Sequence, residues 1–147
     1  MSASITTTLV FLKPDVFETG YIGGVIDKLE RNNFEIVAMK VMRLTRSQAE
    51  AFYAVHRGKR FYEDLVVYVT RGKIVPIILS SKEGLKDEDL IRRVRELMGA
   101  TNPVDATEGT IRAQFGKSLD ANVLHGSDSP ATAREEMSFF FAGESFI

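Results

Sequence analysis

Residues 6–15 read TTTLVFLKPD. The first seven of them are β-branched, aliphatic or aromatic, and this composition predicts a β-strand over residues 6–12. Pro14 has no backbone N–H to donate, so the hydrogen-bond ladder of the strand is expected to stop there. Lys13 is therefore predicted to lie at a strand end, and the rest of the fold is built outward from this strand.

Three further apolar runs predict strands over residues 34–44, 74–79 and 123–125. The second of these runs contains Pro76, which lacks the donor that a central strand requires. We therefore predict that this strand lies at a sheet edge or is bulged near Pro76.

Helices are predicted where apolar residues recur at i, i+3, i+4 and i+7, the spacing of one buried helix face. Thr45 and Gln48 can cap one helix reciprocally, and Gly99 can end another in a left-handed conformation. Ser129 followed by Pro130 is a favourable start for the last helix. The predicted helices lie after residue 20, at residues 45–56, 61–70 and 90–98, and from residue 129 to about residue 141. This order of elements indicates the α+β class, with helices packed on an antiparallel sheet.

The composition is that of an ordinary globular chain. Its 147 residues are 44% hydrophobic and 27% charged, and no repeat or linker divides them, so we predict one domain over residues 1–147. A formal charge of −1 supplies no positive field for nucleic acid or an acidic membrane. The lack of cysteine excludes disulfides, thiolate zinc sites and a cysteine nucleophile. The opening MSASITTT does not resemble a secretory signal, so a cytoplasmic location is expected.

Residues 100–116 are turn-rich and show little apolar periodicity, which predicts a functional loop. The sequence contains no Walker loop and no GxGxxG or HExxH motif. If the protein binds phosphates, side chains rather than a glycine-rich cradle must hold them.

His125 lies at the end of the last predicted strand and is followed by the small polar residues GSDS. Such surroundings leave an imidazole open to a ligand, whereas a core histidine is normally enclosed by apolar side chains. An accessible imidazole can act as a covalent nucleophile. The alternative is a turn histidine whose nitrogens are satisfied by the nearby serine or aspartate.

The last predicted helix carries a carboxylate on an apolar stripe, formed by Ala133, Glu136, Met137 and Phe140. A carboxylate that points inward needs a partner, because an unpaired buried charge is very costly. His125 is the candidate partner, since a carboxylate there would fix the tautomer of the imidazole and stabilise its cation. The alternative is that Glu136 lies at the margin of the stripe and reaches water.

Two arginines and two aromatic residues are candidates for ligand contacts. Arg95 borders the apolar stripe of its helix and Arg112 lies in the 100–116 loop; a planar guanidinium suits phosphate oxygens. Tyr53 and Phe61 could support a base by stacking. In an arbitrary sequence such arginines are more often surface charges and such aromatics are more often core residues, so both interpretations stay open.

Five segments together resemble the nucleoside diphosphate kinase family along nearly the whole chain. They are LVFLKPD, FYAVH, LMGATNP, GTIRAQFG and NVLHGSDS, in the order that the family has them. The last is the most specific, because it carries the phosphorylated histidine of the family. The resemblance implies a ferredoxin-like α/β sandwich with a four-stranded antiparallel sheet. It also implies a ping-pong reaction in which a nucleoside triphosphate, typically ATP, phosphorylates His125 and a nucleoside diphosphate then takes up the γ-phosphoryl group.

The same resemblance implies roles for individual residues. Glu136 would orient His125 with Ser127 in the same network, and Tyr53 and Lys13 would lie near the transferred group. The implied ligand contacts are Arg95, Thr101 and Arg112 for the phosphates, Asn122 and Lys13 for the sugar, and Phe61 as a stacking platform for the base. Mg²⁺ would arrive on the nucleotide phosphates rather than in a metal site of protein side chains. A homo-oligomer, either a tetramer or a hexamer, would form with a contribution from the loop that contains Pro103, and neither a membrane nor nucleic acid would be required.

Two features depart from the family pattern. Arg60 stands where the family usually has proline, before the phenylalanine matched to Phe61. Between Leu79 and Arg95 the chain is longer than that pattern by about half a dozen residues, through SSKEGLKDEDL, which would extend a loop or helix near the nucleotide site.

Two other functions are compatible with these residues. A binding module would hold nucleotide or nucleic acid without turnover, but degenerate relatives of that kind normally lose the histidine or its neighbours, all of which are present here. A histidine-phosphorylated signalling protein would share His125 and differ only in passing the phosphoryl group to another protein.

Overall fold

The computed structural model describes residues 4–144 of the chain. Four strands, β1 (Thr7–Leu12), β2 (Phe34–Met39), β3 (Val75–Ser81) and β4 (Leu124–Gly126), form one antiparallel sheet in the order β2-β3-β1-β4. The predicted ferredoxin-like sandwich is confirmed, and β1 lies in the interior of the sheet, between β3 and β4.

Helices cover both faces of the sheet. Within residues 4–144 they are α1 (Pro14–Thr19), α2 (Ile22–Arg31), α3 (Arg46–Phe52), α4 (Tyr62–Thr70), α5 (Asp87–Met98), α6 (Ile111–Phe115) and α7 (Pro130–Phe141), with 3₁₀ turns at Ala54–His56 and Pro103–Asp105. In this part of the chain no helix has both the length and the apolarity needed to cross a bilayer.

The strand β1 shows why the core has two halves. Residues 9–12 are all fully buried, and successive side chains point to opposite faces of the sheet. Leu9 and Phe11 pack in a cluster with residues of α3, α4 and α7, whereas Val10 and Leu12 pack with residues of α2 and α5. A strand that is buried on both faces has consecutive apolar residues, and residues 9–12 of β1 are all apolar.

The two predicted N-terminal helix caps are present. Thr45 accepts a hydrogen bond from the Gln48 N–H at 3.1 Å, and the Gln48 side chain accepts one from the Thr45 N–H at 2.9 Å. Ser129 accepts a hydrogen bond from the Thr132 N–H at 3.1 Å, and Pro130 occupies the first helical position. The last cap fixes the start of α7 and therefore which of its residues face the sheet.

The prediction that the strand with Pro76 is an edge strand or is bulged near that residue is wrong. β3 lies between β2 and β1, and its irregularity is on β2 at residues 36–38. The Pro76 carbonyl accepts a hydrogen bond from the Lys40 N–H at 3.2 Å. Because the N–H and C=O of a strand residue point to the same neighbour, the N–H that Pro76 lacks would also have pointed toward the chain at Lys40. Because β2 ends at Met39, a single ladder bond is lost, and a central strand tolerates the proline there.

Several predicted boundaries also need correction. The second strand ends at Met39 instead of residue 44, with an isolated bridge from Met42 to Ile74. The last strand is displaced by one residue, to Leu124–Gly126, because Val123 has a φ of +81° and cannot be part of a ladder. Gly99 has a positive φ of 88°, but its ψ of 178° is extended, so the predicted left-handed cap is wrong.

Two helices were not predicted. α1 begins at Pro14, in the first-turn position where the missing N–H costs nothing. α6 lies inside the segment 100–116, which otherwise consists of turns as predicted. The longer segment after Leu79 is divided between the end of β3, a turn and the start of α5, where Asp87 exchanges two hydrogen bonds with Ile5.

Candidate active site

The candidate site lies beside β4, where several chain segments meet. His125 is the middle residue of β4 and is paired with Phe11 of β1. Lys13 follows β1 directly and Asn122 precedes β4, so the two side chains approach each other from the ends of neighbouring strands. The helix α7 returns over the same strands and brings Glu136 to His125.

His125 is held by a carboxylate. Its Nε2 lies 2.9 Å from Oε1 of Glu136, and the Ser127 hydroxyl donates to the same oxygen at 2.7 Å. Because an ionised carboxylate can only accept, the ring hydrogen is assigned to Nε2, and Nδ1 keeps its lone pair. Of the two sequence interpretations of Glu136, the structure has the one in which the carboxylate meets the imidazole.

Two phenylalanines enclose the imidazole. Phe11 stacks on His125 with ring centroids 5.0 Å apart and an interplanar angle of 26°, and Phe52 meets it edge-on at 5.4 Å. Neither residue is among the site residues predicted from the sequence. Phe11 could be found only from the pairing of β1 with β4, which joins parts of the chain more than a hundred residues apart.

Arg112 is a buried cation whose contacts in the described chain are carbonyl oxygens. Its Nε donates to Asn122 at 3.1 Å, Nη1 to Gly99 at 3.0 Å and Nη2 to Leu124 at 2.8 Å. Burial, together with the nearby charge of Arg95, lowers the pKa of Arg112 to about 10. Carbonyls orient the guanidinium without neutralising it, so its charge remains available to an anion.

Lys13 is also held by a neutral group. Its Nζ donates to the Asn122 Oδ1 at 2.7 Å, and the Asn122 amide donates to the Thr101 carbonyl at 2.9 Å. Burial, followed by repulsion from Arg112, lowers the pKa of Lys13 to about 8. An anion that binds beside Lys13 would therefore stabilise the charged form of the lysine and raise its pKa.

A cleft of about 380 Å³ joins these groups. Its lining includes three cations, Lys13, Arg95 and Arg112, and the Nη1 of Arg95 donates to the Gly126 carbonyl at 3.0 Å. Within residues 4–144 none of the three has a carboxylate oxygen within 4.0 Å, although the exposed Arg31, Arg46, Arg71 and Arg92 all do. The cleft thus holds three cations that form no ion pair with a carboxylate of the described chain, although Asp128 and Glu136 also line it.

A smaller hollow of about 90 Å³ adjoins the cleft and is lined by Phe61, Tyr68 and Leu119 together with Lys13 and Tyr53. Phe61 is 45% exposed, which leaves its side chain accessible for stacking. Tyr53 is buried, and this burial, with a smaller effect of the Glu136 charge, raises the pKa of its phenol. Tyr53 therefore stays protonated.

The structure brings the ten residues singled out from the sequence into one region. Eight of them line the cleft: Lys13, Tyr53, Arg95, Thr101, Arg112, Asn122, His125 and Glu136. Ser127 lies behind the cleft as the hydrogen-bond partner of Glu136, and Phe61 lies in the adjoining hollow. None of residues 80–90 of the longer segment lines the cleft; they form the end of β3, a turn and the start of α5.

A histidine held by a carboxylate, in a cleft with three cations that form no ion pair among the described residues, is typical of proteins in which an imidazole reacts with a bound anion. Comparison with known proteins is more specific. The family model of nucleoside diphosphate kinase matches residues 6–146. A nucleoside diphosphate kinase of Desulfosudis oleivorans is 49% identical over 134 residues, which cover 91% of this chain and 92% of the relative. That of Helicobacter hepaticus is 47% identical over 135 residues, covering 92% and 94%.

Solved structures agree with these relatives. The Aquifex aeolicus nucleoside diphosphate kinase superimposes with a TM-score of 0.88 at 37% identity, covering 99% of this chain and all of the other. A halophilic nucleoside diphosphate kinase from Halobacterium salinarum in complex with CDP has a TM-score of 0.85 at 34% identity, covering 96% and 90%. The chain belongs to the nucleoside diphosphate kinase family.

Proposed function

We propose that this protein transfers the γ-phosphoryl group of a nucleoside triphosphate, typically ATP, to a nucleoside diphosphate, with a phosphohistidine at His125 as the intermediate. The observation that carries the proposal is the position of His125. Its Nε2 is bound by Glu136, and the ring lines a cleft in which Lys13, Arg95 and Arg112 have no carboxylate partner among the described residues.

In the first half-reaction, the lone pair of Nδ1 forms a P–N bond as the bond from the γ-phosphorus to the diphosphate oxygen breaks. The electron pair of the broken bond leaves on the nucleoside diphosphate. The imidazole keeps its Nε2 hydrogen and becomes cationic, and the Glu136 carboxylate stabilises that charge. The second half-reaction reverses these steps with another nucleoside diphosphate.

Phosphoryl transfer depends on positioning and on neutralising charge. Arg95, Thr101 and Arg112 are proposed to bind the phosphates, and Lys13 and Asn122 are proposed to contact the sugar. Tyr53 would donate its hydrogen near the transferred group, and Phe61 would stack on the base. The CDP complex of the Halobacterium salinarum relative supports a nucleotide as the ligand.

Mg²⁺ is proposed to enter bound to the nucleotide. Within residues 4–144 no three histidine, aspartate or glutamate side chains are grouped so that they could hold a metal ion. Three cations line the cleft and would hold the phosphates, whose oxygens are suitable ligands for the ion. When bound, Mg²⁺ would neutralise part of the phosphate charge.

We further propose a cytoplasmic homo-oligomer, either a tetramer or a hexamer. The loop with Pro103 supports this assembly, because its apolar Val104 is 85% exposed in the single chain. Mass measurement under native conditions would give the subunit count.

The experiment that tests the function uses γ-labelled ATP and Mg²⁺. The purified protein should become labelled at His125 with an acid-labile, base-stable bond, and the label should move to GTP when GDP is added. Nucleotide binding without label would favour a binding module, and label that passes only to another protein would favour a signalling function.

The pKa of Lys13 predicts how the KM for the nucleotide depends on pH. A lysine is charged below its pKa and neutral above it, and that pKa is about 8 here. We expect KM to rise by about tenfold as pH increases past this value, because a charge-assisted contact to the nucleotide is lost. The phosphates are already ionised in this range. Initial rates across pH test the expectation, with Lys13→Arg as the control, whose guanidinium stays charged; a rise of the same size in that variant would contradict it.

Stacking predicts the effect of Phe61→Ala. We expect the KM to rise by about tenfold for purine and pyrimidine nucleotides alike, with kcat little changed, because stacking uses only the face of the base. The matched control is Tyr21→Ala, since Tyr21 is 44% exposed and contacts Phe115 away from the cleft. An increase in KM for one base only would show that Phe61 acts by selective contact.

A further inference from the structure

Asp15 is a buried carboxylate for which the reaction described above has no use. It is 4% exposed, in the first turn of α1. Its Oδ1 accepts a hydrogen bond from the Tyr68 hydroxyl at 2.6 Å, and its Oδ2 accepts one from the Val123 N–H at 3.1 Å. Burying a carboxylate costs free energy unless hydrogen bonds compensate for it. The two hydrogen bonds that Asp15 accepts therefore indicate that this carboxylate has a specific role.

Val123, which receives one of these bonds, has an unfavourable backbone conformation. Its φ of +81° is rare for a β-branched residue, and its side chain is fully buried. The Leu124 N–H donates to the Asn122 carbonyl at 3.0 Å, which closes a three-residue turn around Val123. A turn of this hand is strained, so surrounding contacts must hold it in place.

The contacts that hold the turn come from both sides of Pro14. Asp15 accepts from the Val123 N–H, and the Lys13 N–H donates to the Val123 carbonyl at 2.8 Å. Both polar groups of the Val123 backbone are therefore bound. Since Val123 itself sits in a buried turn, losing the Asp15 contact would leave its N–H without a partner.

The turn lies between residues of the proposed site. Asn122 precedes it, and His125 follows two residues after Val123. Arg112 donates to the carbonyls of Asn122 and Leu124, on either side of the turn. A change in the turn would therefore move the lysine partner Asn122, the guanidinium of Arg112 and the strand that carries His125 together.

We propose that Asp15 is a positioning residue for phosphoryl transfer, which holds the strained turn at Val123 and so aligns His125, Asn122 and Arg112. The inference rests on the proposed function and assigns Asp15 no contact with the substrate. Tyr68 supports the carboxylate from α4, the helix that begins next to Phe61. Burial and the hydrogen bond to Asp15 raise the pKa of Tyr68, which keeps its hydroxyl as a donor.

The first test compares Asp15→Ala with Asp15→Asn. Alanine leaves the Val123 N–H unsatisfied, and we expect the rate of His125 phosphorylation by γ-labelled ATP, in a single turnover, to fall about 100-fold. Asparagine can accept from Val123 through its oxygen and donate to the Tyr68 oxygen, so its rate should stay within about threefold of wild type. An asparagine variant as slow as the alanine variant would overturn the inference, because the charge and not the turn would then matter.

The second test uses Val123→Gly, since glycine adopts a positive φ without strain. In that background Asp15→Ala should slow phosphorylation by less than about tenfold, because there is less strain to hold. An equal loss in both backgrounds would overturn the inference. If Asp15→Ala does not fold, the same cycle is run with Tyr68→Phe, which leaves the carboxylate in place; its expected loss of about fivefold should likewise shrink in the glycine background, and equal losses would again overturn it.

Two controls separate this inference from the proposed function. Asp27→Ala removes an exposed aspartate that pairs with Arg31, and this variant should phosphorylate at the wild-type rate. A wild-type protein that takes no label would refute the proposed function itself. A wild-type protein that is labelled, with Asp15→Ala folded and labelled just as fast, would refute only the role of Asp15.

Discussion

His125→Ala is expected to lose the phosphoenzyme and to lower the turnover of nucleoside diphosphate by about 10⁴-fold or more, which is the scale for removing a covalent nucleophile. Within residues 4–144, no other histidine that lines the cleft has a carboxylate bound to its Nε2. The fold should persist, because His125 is a partly exposed residue at a sheet edge whose loss leaves Phe11 and Phe52 in contact with other aromatic residues.

The measurement is acid-labile label after incubation with γ-labelled ATP, followed by thermal unfolding of the same sample. The second histidine of the chain serves as the control. His56 also lines the cleft, but it packs edge-on against Phe61 and has no carboxylate partner in the described structure. His56→Ala should still form the phosphoenzyme. Label retained by His125→Ala would refute the mechanism.

Arg112→Ala is expected to have the second largest effect, a loss in kcat/KM of about 10³-fold. The guanidinium supplies charge to the proposed phosphate site and also joins the carbonyls of Gly99, Asn122 and Leu124. Removing it takes one donor from each of three carbonyls, two of them in buried contacts, although the Asn122 carbonyl keeps the Leu124 N–H. Relief from burying a cation offsets part of this cost, so we expect the free energy of unfolding to fall by about 2 kcal/mol.

Arg112→Lys separates charge from geometry, because lysine keeps the charge but cannot reach three carbonyls in one plane. It should recover part of the nucleotide affinity and little of kcat. The matched surface control is Arg92→Ala, which removes an exposed arginine paired with Asp89. This variant should have the nucleotide affinity and the kcat of the wild type. Wild-type kcat/KM in a folded Arg112→Ala protein would show that the carbonyl contacts are purely structural.

Local signals in the sequence were sufficient for most helices and caps. The caps at Thr45 and Ser129 depend on residues within three positions of each other, and the buried face of α5 is visible in its own spacing. α1 was missed because Pro14 was interpreted only as the end of a strand, although proline also starts helices. α6, with five residues, is too short to show a period.

Features that depend on strand pairing could not be read locally. The central position of β3 follows from contacts with β1 and β2, and so the significance of Pro76 was misjudged. Phe11 and Asp15 act on β4 and the turn before it, more than a hundred residues later in the chain. The residues of the candidate site were nevertheless singled out, by the resemblance of five segments to one family and by the inward carboxylate of Glu136.

The two phenylalanines around His125 bear on the interval between the two half-reactions. A ping-pong enzyme must release one nucleotide before it binds the next, and during that time water competes for the phosphoryl group. Phe11 stacks on one face of the imidazole and Phe52 packs against it nearly perpendicular, so these two apolar rings exclude water from the sides of His125 that they contact and offer it no hydrogen bond there. We expect the resting lifetime of the phosphorylated protein, and with it the share of ATP lost to hydrolysis, to depend on these two rings.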